Sequence, residues 1–226
     1  MTYQTSSPEA SPSPNKGDAQ DVDISFVDIL FALVVGEALD ALTRAGTMTA
    51  AGRSHLAFAG LLTLMSWIGY HNSPHRYIGQ ISFDLRAPRQ LTALAKFLTD
   101  VGLVVLYWLA VRTTEGGFTG SPTHPSWRSS VLLALLSFGL YVVWDYLAWA
   151  APRQQGKSRQ KYRTRRRKTS WWFTAFVLLV AVVAWLAKPD TDWSVTAVNV
   201  ALCVLVVAYR FTKDMWTDRV QAAATT

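Results

Sequence analysis

The 226-residue sequence has a single cysteine, Cys203, and it sits inside an apolar run. One thiol gives no disulfide framework and no cysteine metal set, and it says nothing about redox compartment. No Gly-rich phosphate loop, nucleophile elbow, His-Glu-x-x-His or paired-Cys motif is present. The four histidines, His55, His71, His75 and His124, are not at ligand spacing within one helix. His71 and His75 are i, i+4, but Pro74 between them opposes a helix there. The expectation is a protein that is not an enzyme, with no cofactor and no metal site. Charge is scarce too, at 16% of residues, and the net +7 is local, since nine of the 22 Lys and Arg fall between Arg153 and Lys168. Outside that stretch the chain is close to neutral, so the pI near 9.7 is no nucleic-acid signature and no nucleic-acid partner is expected.

What the sequence does have is apolar length. Half of the residues are hydrophobic and ten are Trp, while mean hydropathy is only +0.16. The apolar residues are gathered into separate runs, as in a polytopic membrane protein. A helix rises 1.5 Å per residue, so about 20 residues cross the roughly 30 Å hydrocarbon core. Six runs qualify: 24–42, about 55–70, 91–111, 127–150, 171–187 and 193–211. The fold class expected is all-α, with six transmembrane helices in a domain over residues 24–213. Residues 1–23, rich in Ser, Pro and acids, read as a disordered cytoplasmic tail without a signal peptide, and 214–226 as a short C-terminal tail. Within 71–89 the segment YIGQISFDL reads as a short amphipathic or re-entrant piece, and 151–170 as a basic cytoplasmic loop.

Basic residues set the orientation. With the N-terminus inside, sixteen Lys and Arg fall in inner segments and five in outer ones, with Lys96 inside the membrane. Both termini are therefore expected in the cytoplasm, and the location is the plasma (inner) membrane.

The first run, ISFVDILFALVVGEALDAL, carries Asp28, Glu37 and Asp40. Carboxylates in such a segment are costly unless they meet protein, a partner or water, so each is a candidate functional group. At 100° per residue, Phe26, Leu30, Leu33, Glu37 and Asp40 share one stripe, and Asp28 lies about 140° from Leu33. The stripe suits a pore repeated around a symmetric oligomer, with Leu30 and Leu33 constricting it and Glu37 and Asp40 concentrating cations. Packing against another helix, with Glu37 neutral, is the competing reading, since no intramembrane cation is evident at its depth.

The topology brings Asp28, His71, Lys96, Asp100 and Asp145 to similar depth near the inner side, with Trp67 one turn before His71. Lys96 and Asp100 are i, i+4 neighbours. This inner polar network reads either as a gate or proton-sensitive latch, or as a knot fixing helix packing. Arg163, Arg165, Arg166, Arg167 and Lys168 lie just inside the fifth run, as a topology anchor on anionic lipid or a site for an anionic regulator or soluble partner.

The stretch Phe26-Val27-Asp28-Ile29-Leu30-Phe31-Ala32-Leu33 resembles the first-helix signature of the lysosomal and bacterial six-helix potassium channels, Phe-Ser-Asp followed by a Phe-Ala-Ile-like stretch. Trp67 and His71 are similar to that family's Trp-x-x-His element, here with one extra residue, and Val27 stands where the signature has serine. The resemblance implies a potassium-permeable channel whose pore is lined by the first helix, with bacterial members assembling as tetramers. It implies that Phe26, Val27 and Asp28 form the packing signature and that Leu33 is at the constriction. The expected function is thus passive conduction of monovalent cations. A non-conducting anchor or sensor that works with a soluble partner through the basic loop, or a proton-coupled transporter, are the other expectations.

Overall fold

The computed structural model describes residues 18–71, 88–115, 126–150 and 157–222. Its regular elements are helices: α1 (Asp18–Thr43), α2 (Ala50–His71), α3 (Pro88–Arg112), α4 (Trp127–Ala150), α5 (Lys157–Ala187) and α6 (Asp192–Ala222), with short 3-10 turns at Ala45–Thr47 and Thr113–Glu115. Among the described residues there is no strand. Among the described residues four stretches are long and apolar enough to cross a membrane: Leu91–Arg112, Trp127–Leu147, Arg167–Ala187 and Asp192–Lys213.

Each helix holds one of the apolar runs, but the boundaries move. α1 opens at Asp18, so residues 18–23 are helical rather than tail. α5 opens at Lys157, which puts Arg163–Lys168 on a helix and corrects the loop reading. Lys and Arg are good helix formers, and the apolar half of α5 propagates into them. α6 likewise continues to Ala222, through most of the expected C-terminal tail. The amphipathic or re-entrant piece, with His75, and the loop with His124 lie outside the described residues, as do residues 1–17.

Local chemistry starts the helices where they start. Pro88 opens α3, where its missing N–H is no loss. Ser126 caps α4, its hydroxyl accepting from the Arg128 N–H at 3.3 Å. Thr191 and Ser194 form a reciprocal cap on α6: Thr191 Oγ1 accepts from the Ser194 N–H at 3.2 Å, and Ser194 Oγ accepts from the Thr191 N–H at 3.1 Å. α5 ends at Ala187, and Lys188, in the left-handed region at φ 46°, turns the chain toward Pro189.

The helices alternate in direction along the bundle. α1 leans on α3 and α2, α2 packs along α6, and α4 lies between α3 and α5. The core is continuous across them, with Val27, Phe31 and Val34 of α1 meeting Phe58, Leu62, Tyr107, Phe138 and Leu202. Spacings of four and three residues along α1 put Val27, Phe31, Val34 and Ala41 on one buried face, which leaves its other faces outward.

One contact ties the start of α2 to the start of α6. The Asp192 carboxylate accepts from the Ala50 N–H at 3.1 Å and the Ala51 N–H at 2.9 Å, so α6 caps α2. Those N–H groups have no partner within their own helix, and the helix dipole adds to the attraction. Asp192→Ala is expected to lower folding stability by about 1–2 kcal/mol. Thermal unfolding in mild detergent reads this out, and Asp192→Asn, which keeps one acceptor oxygen, should lose less.

Candidate functional site

Asp28, Trp67 and His71, three of the groups in the resemblance, come together part-way along α1, beside the end of α2. His71 Nε2 lies 3.2 Å from Asp28 Oδ1, and the His71 ring stands 4.3 Å from the Trp67 ring. His71 Nδ1 is 3.1 Å from the Trp67 carbonyl oxygen. The trio closes one end of an apolar groove of about 830 Å³ between α1 and α2, whose walls include Ala32, Val35, Leu39, Leu56 and Gly60 and whose other end carries Arg53. Asp28 and His71 are partly exposed, so their pair orients the end of α2 against α1 more than it stabilises the fold, at about 0–1 kcal/mol.

The proposed pore stripe divides into two. Leu30 is partly buried against the core, and Glu37 leans toward α3, where Arg112 Nε meets its Oε1 at 2.9 Å. A cation does stand at the depth of Glu37, contrary to the expectation; Arg112 ends α3 on the same side of the bundle. Leu33 and Asp40 point away from the other helices. Leu33 is 65% exposed, and the Asp40 carboxylate takes a hydrogen bond from Arg44 at 2.5 Å along the same helix. The Phe26 side chain lies outside the described residues.

The other members of the inner network gather around a second centre. Asp145 is buried and accepts from Lys213 Nζ at 2.8 Å and from the Ser170 hydroxyl. Ser170 Oγ is 3.0 Å from the Tyr209 hydroxyl, and Lys213 Nζ stands 4.6 Å from the Tyr209 ring centre. Asp100, also buried, is hydrogen-bonded by Trp144 and attracted by Lys96, whose ammonium sits 4.5 Å over the Trp144 ring. Tyr107 and Tyr141 share a hydrogen bond at 2.9 Å, and Ser66 bonds Tyr141. Of these groups Asp100, Lys213, Tyr209, Trp144, Tyr107, Tyr141 and Ser66 line a cavity of about 80 Å³ that also touches Arg210, Phe31 and Phe138, while Asp145, Ser170 and Lys96 are not part of its lining. Arg210 enters beside Gly69; a Cβ on that glycine would fall 2.6 Å from Arg210 Nη1. The expected single network is therefore two: Asp28, Trp67 and His71 at the groove, and Lys96, Asp100 and Asp145 beside the cavity.

Sequence reasoning assigned Arg210 and Lys213 to the inner segment, as topology charges. Both are buried, at 9% and 8% exposure. Apolar residues on both sides of Arg210, and a register that puts Val206, Arg210 and Lys213 on one face of α6, were the available signals.

A second polar cluster occupies the opposite end of the bundle. His55 is fully buried, with Nδ1 2.6 Å from Ser130 Oγ and Nε2 2.9 Å from both the Ala110 carbonyl oxygen and Thr113 Oγ1. A carbonyl can only accept, so Nε2 carries the proton and Nδ1 accepts from Ser130. Asn199, also buried, donates to the Ala51 carbonyl oxygen at 3.3 Å and to Ser54 Oγ at 3.0 Å. His55 is hydrogen-bonded at both ring nitrogens, whereas Asn199 is bonded through its amide nitrogen and its Oδ1 is buried without a hydrogen-bond partner.

On α5, the Arg165 and Lys168 side chains are exposed and Arg167 is half-buried, one to two turns before the apolar segment; the Arg163 and Arg166 side chains lie outside the described residues. Comparisons with protein-family models, with curated proteins and with solved structures find no match to this chain.

Proposed function

We propose that the chain is a subunit of a potassium-permeable cation channel, with α1 of each copy lining a pore on the axis of a symmetric oligomer. The meeting of Asp28, Trp67 and His71 carries this reading. Two motif fragments, one on α1 and one on α2, make one contact, as a shared packing signature requires. The outward position of Leu33 supports it, since a pore residue must be free of its own subunit. Glu37 and Asp40 are each paired with an arginine, Arg112 and Arg44, so the reading rests on Leu33 as the apolar constriction rather than on an acidic ring. In this reading all six helices cross the plasma (inner) membrane and both termini are cytoplasmic, in keeping with the sixteen-to-five bias of basic residues. The basic face of α5 then lies against anionic head groups.

Flux from potassium-loaded liposomes containing the purified protein tests this. Wild type should release potassium, and Leu33→Ala, which widens the constriction, should raise the rate severalfold. No flux from either version, with folded protein shown in the liposomes, would reject the pore and move the assignment to a non-conducting anchor or sensor acting through α5.

The buried carboxylates of Asp100 and Asp145 favour a second reading, proton-coupled transport within one subunit. There Asp100 and Asp145 would be the proton-carrying groups, and flux would follow a pH gradient and survive Leu33→Ala unchanged.

A further inference from the structure

Three helices carry outward rows of the same period. Between Ala50 and His71 the exposed residues of α2 are Arg53, Ala57, Leu64 and Trp67, and half-buried Gly60 completes the row. Between Leu91 and Arg112 those of α3 are Leu91, Leu98, Val105, Trp108 and Arg112. On α1, Ala32, Val35, Leu39 and Leu42 line the groove in the same way. Every step in these rows is three, four or seven residues, the spacing that keeps a row against a neighbouring helix. The rows differ in bulk. Ala57 and Gly60 make the α2 row low at its centre, and a Cβ built on Gly60 would meet nothing within 4 Å, so the groove is open above it. The α3 row stands out instead, with Leu98, Val105 and Trp108. Small residues on one helix face and large ones on another let two helices approach closely inside a bilayer. A lipid chain needs only an apolar surface, without a period.

The bundle places the two rows on opposite flanks of α1, which lies against α2 on one side and α3 on the other. With α1 of each copy turned to a common axis, the one point that rests on the channel reading, the α2 flank of one copy meets the α3 flank of the next. Such a heterologous contact closes a ring. The levels agree as well. His55 bonds the Ala110 carbonyl oxygen, which sets α2 against α3. Five residues further along each of these antiparallel helices, Gly60 is level with Val105, and two residues further Ala57 is level with Trp108. Rotation about an axis along the membrane normal preserves level, so the bulky residues of one copy come opposite the low centre of the next. At the outer end Arg53 comes level with the Glu37–Arg112 pair, which gives that cation a carboxylate at its own depth. We propose that the α1–α2 groove of each copy is the seat for α3 of a second copy, with Val105 over Gly60 and Trp108 over Ala57.

Disulfide trapping of the full-length protein in liposomes tests this. In a Cys203→Ser background, Gly60→Cys and Val105→Cys on the same chain should, on mild oxidation, move at least half of the protein into cross-linked bands of two chains and more. Either cysteine alone should give single chains on a denaturing gel, because the two sides of the contact differ. Gly60→Cys with Val182→Cys, on the exposed face of α5, should give no cross-link. A second variant needs no thiol. Gly60→Phe fills the groove where the fold leaves space, so the chain stays folded and its oligomer in mild detergent should fall apart into single chains. No cross-link in the double variant with both thiols open to labelling, or a Gly60→Phe oligomer of wild-type mass, would overturn the proposal; a lipid seated in the groove gives both results. Potassium flux is read separately. Cross-linking without flux keeps this interface and rejects conduction, whereas flux without cross-linking keeps the pore and rejects the α3 seat.

Discussion

Asp145→Ala is expected to cost about 3–5 kcal/mol of folding stability. The cost lies less in the lost attraction than in what remains. Lys213 is 8% exposed, and its ammonium would be left in the core without the carboxylate 2.8 Å away. The Ser170 hydroxyl, which donates to the same carboxylate, would lose its acceptor as well. Asp145→Asn keeps an acceptor for Ser170 and should cost less. The double change Asp145→Leu with Lys213→Met removes both charges and should recover most of the stability, because a buried pair replaced by apolar residues of similar volume is often close to neutral. Thermal unfolding in detergent with all three variants decides it. A single mutant within about 1 kcal/mol of wild type would mean that Lys213 reaches water.

His55→Ala is expected to cost about 3 kcal/mol. The imidazole is fully buried, edge-on to Phe58 with ring centres 6.2 Å apart, and joins α2 to α3 and α4 through Ala110, Thr113 and Ser130. Truncation leaves a void and a Ser130 hydroxyl with no acceptor on this side. His71→Ala is the informative contrast. His71 is partly exposed and its ion pair with Asp28 is shared with solvent, so stability should fall by less than about 1 kcal/mol. In the channel reading, its effect appears in potassium flux instead. If His55→Ala unfolds no more easily than His71→Ala, the polar cluster at that end is not what holds α2, α3 and α4 together.

The helices were legible in the sequence because each apolar run is long and ends in turn residues or charge. The coarse depth of the polar groups was legible too. Asp28, Trp67 and His71 meet because both helices bring them to one end, and Lys96 and Asp100 share a turn of α3. Lateral neighbours were not legible. Periodicity says which face of a helix is apolar, not which helix lies beside it, so Asp145 was grouped with Asp28, although Lys213 of α6 is its partner. Arg112 was counted as an outer loop charge, although ending α3 at that depth put it within reach of Glu37. The same habit hid Arg210 and Lys213, because basic residues at helix ends serve topology so often that burial is not suspected. The extent of α5 was missed for a related reason. A basic run looks like a loop between membrane segments, yet nothing in Lys or Arg stops a helix.

The central claim is that α1 faces a shared pore, and a thiol placed on it tests this most directly. Cys203 is the chain's sole native thiol, so Cys203→Ser gives a background in which Leu33→Cys stands alone. A small cationic thiol reagent added to channel-containing liposomes should block most of the potassium flux through Leu33→Cys. It should leave the flux of Val182→Cys, on the exposed apolar face of α5, unchanged. Flux through Leu33→Cys that persists after complete labelling, or equal block at Val182→Cys, would contradict a pore lined by α1.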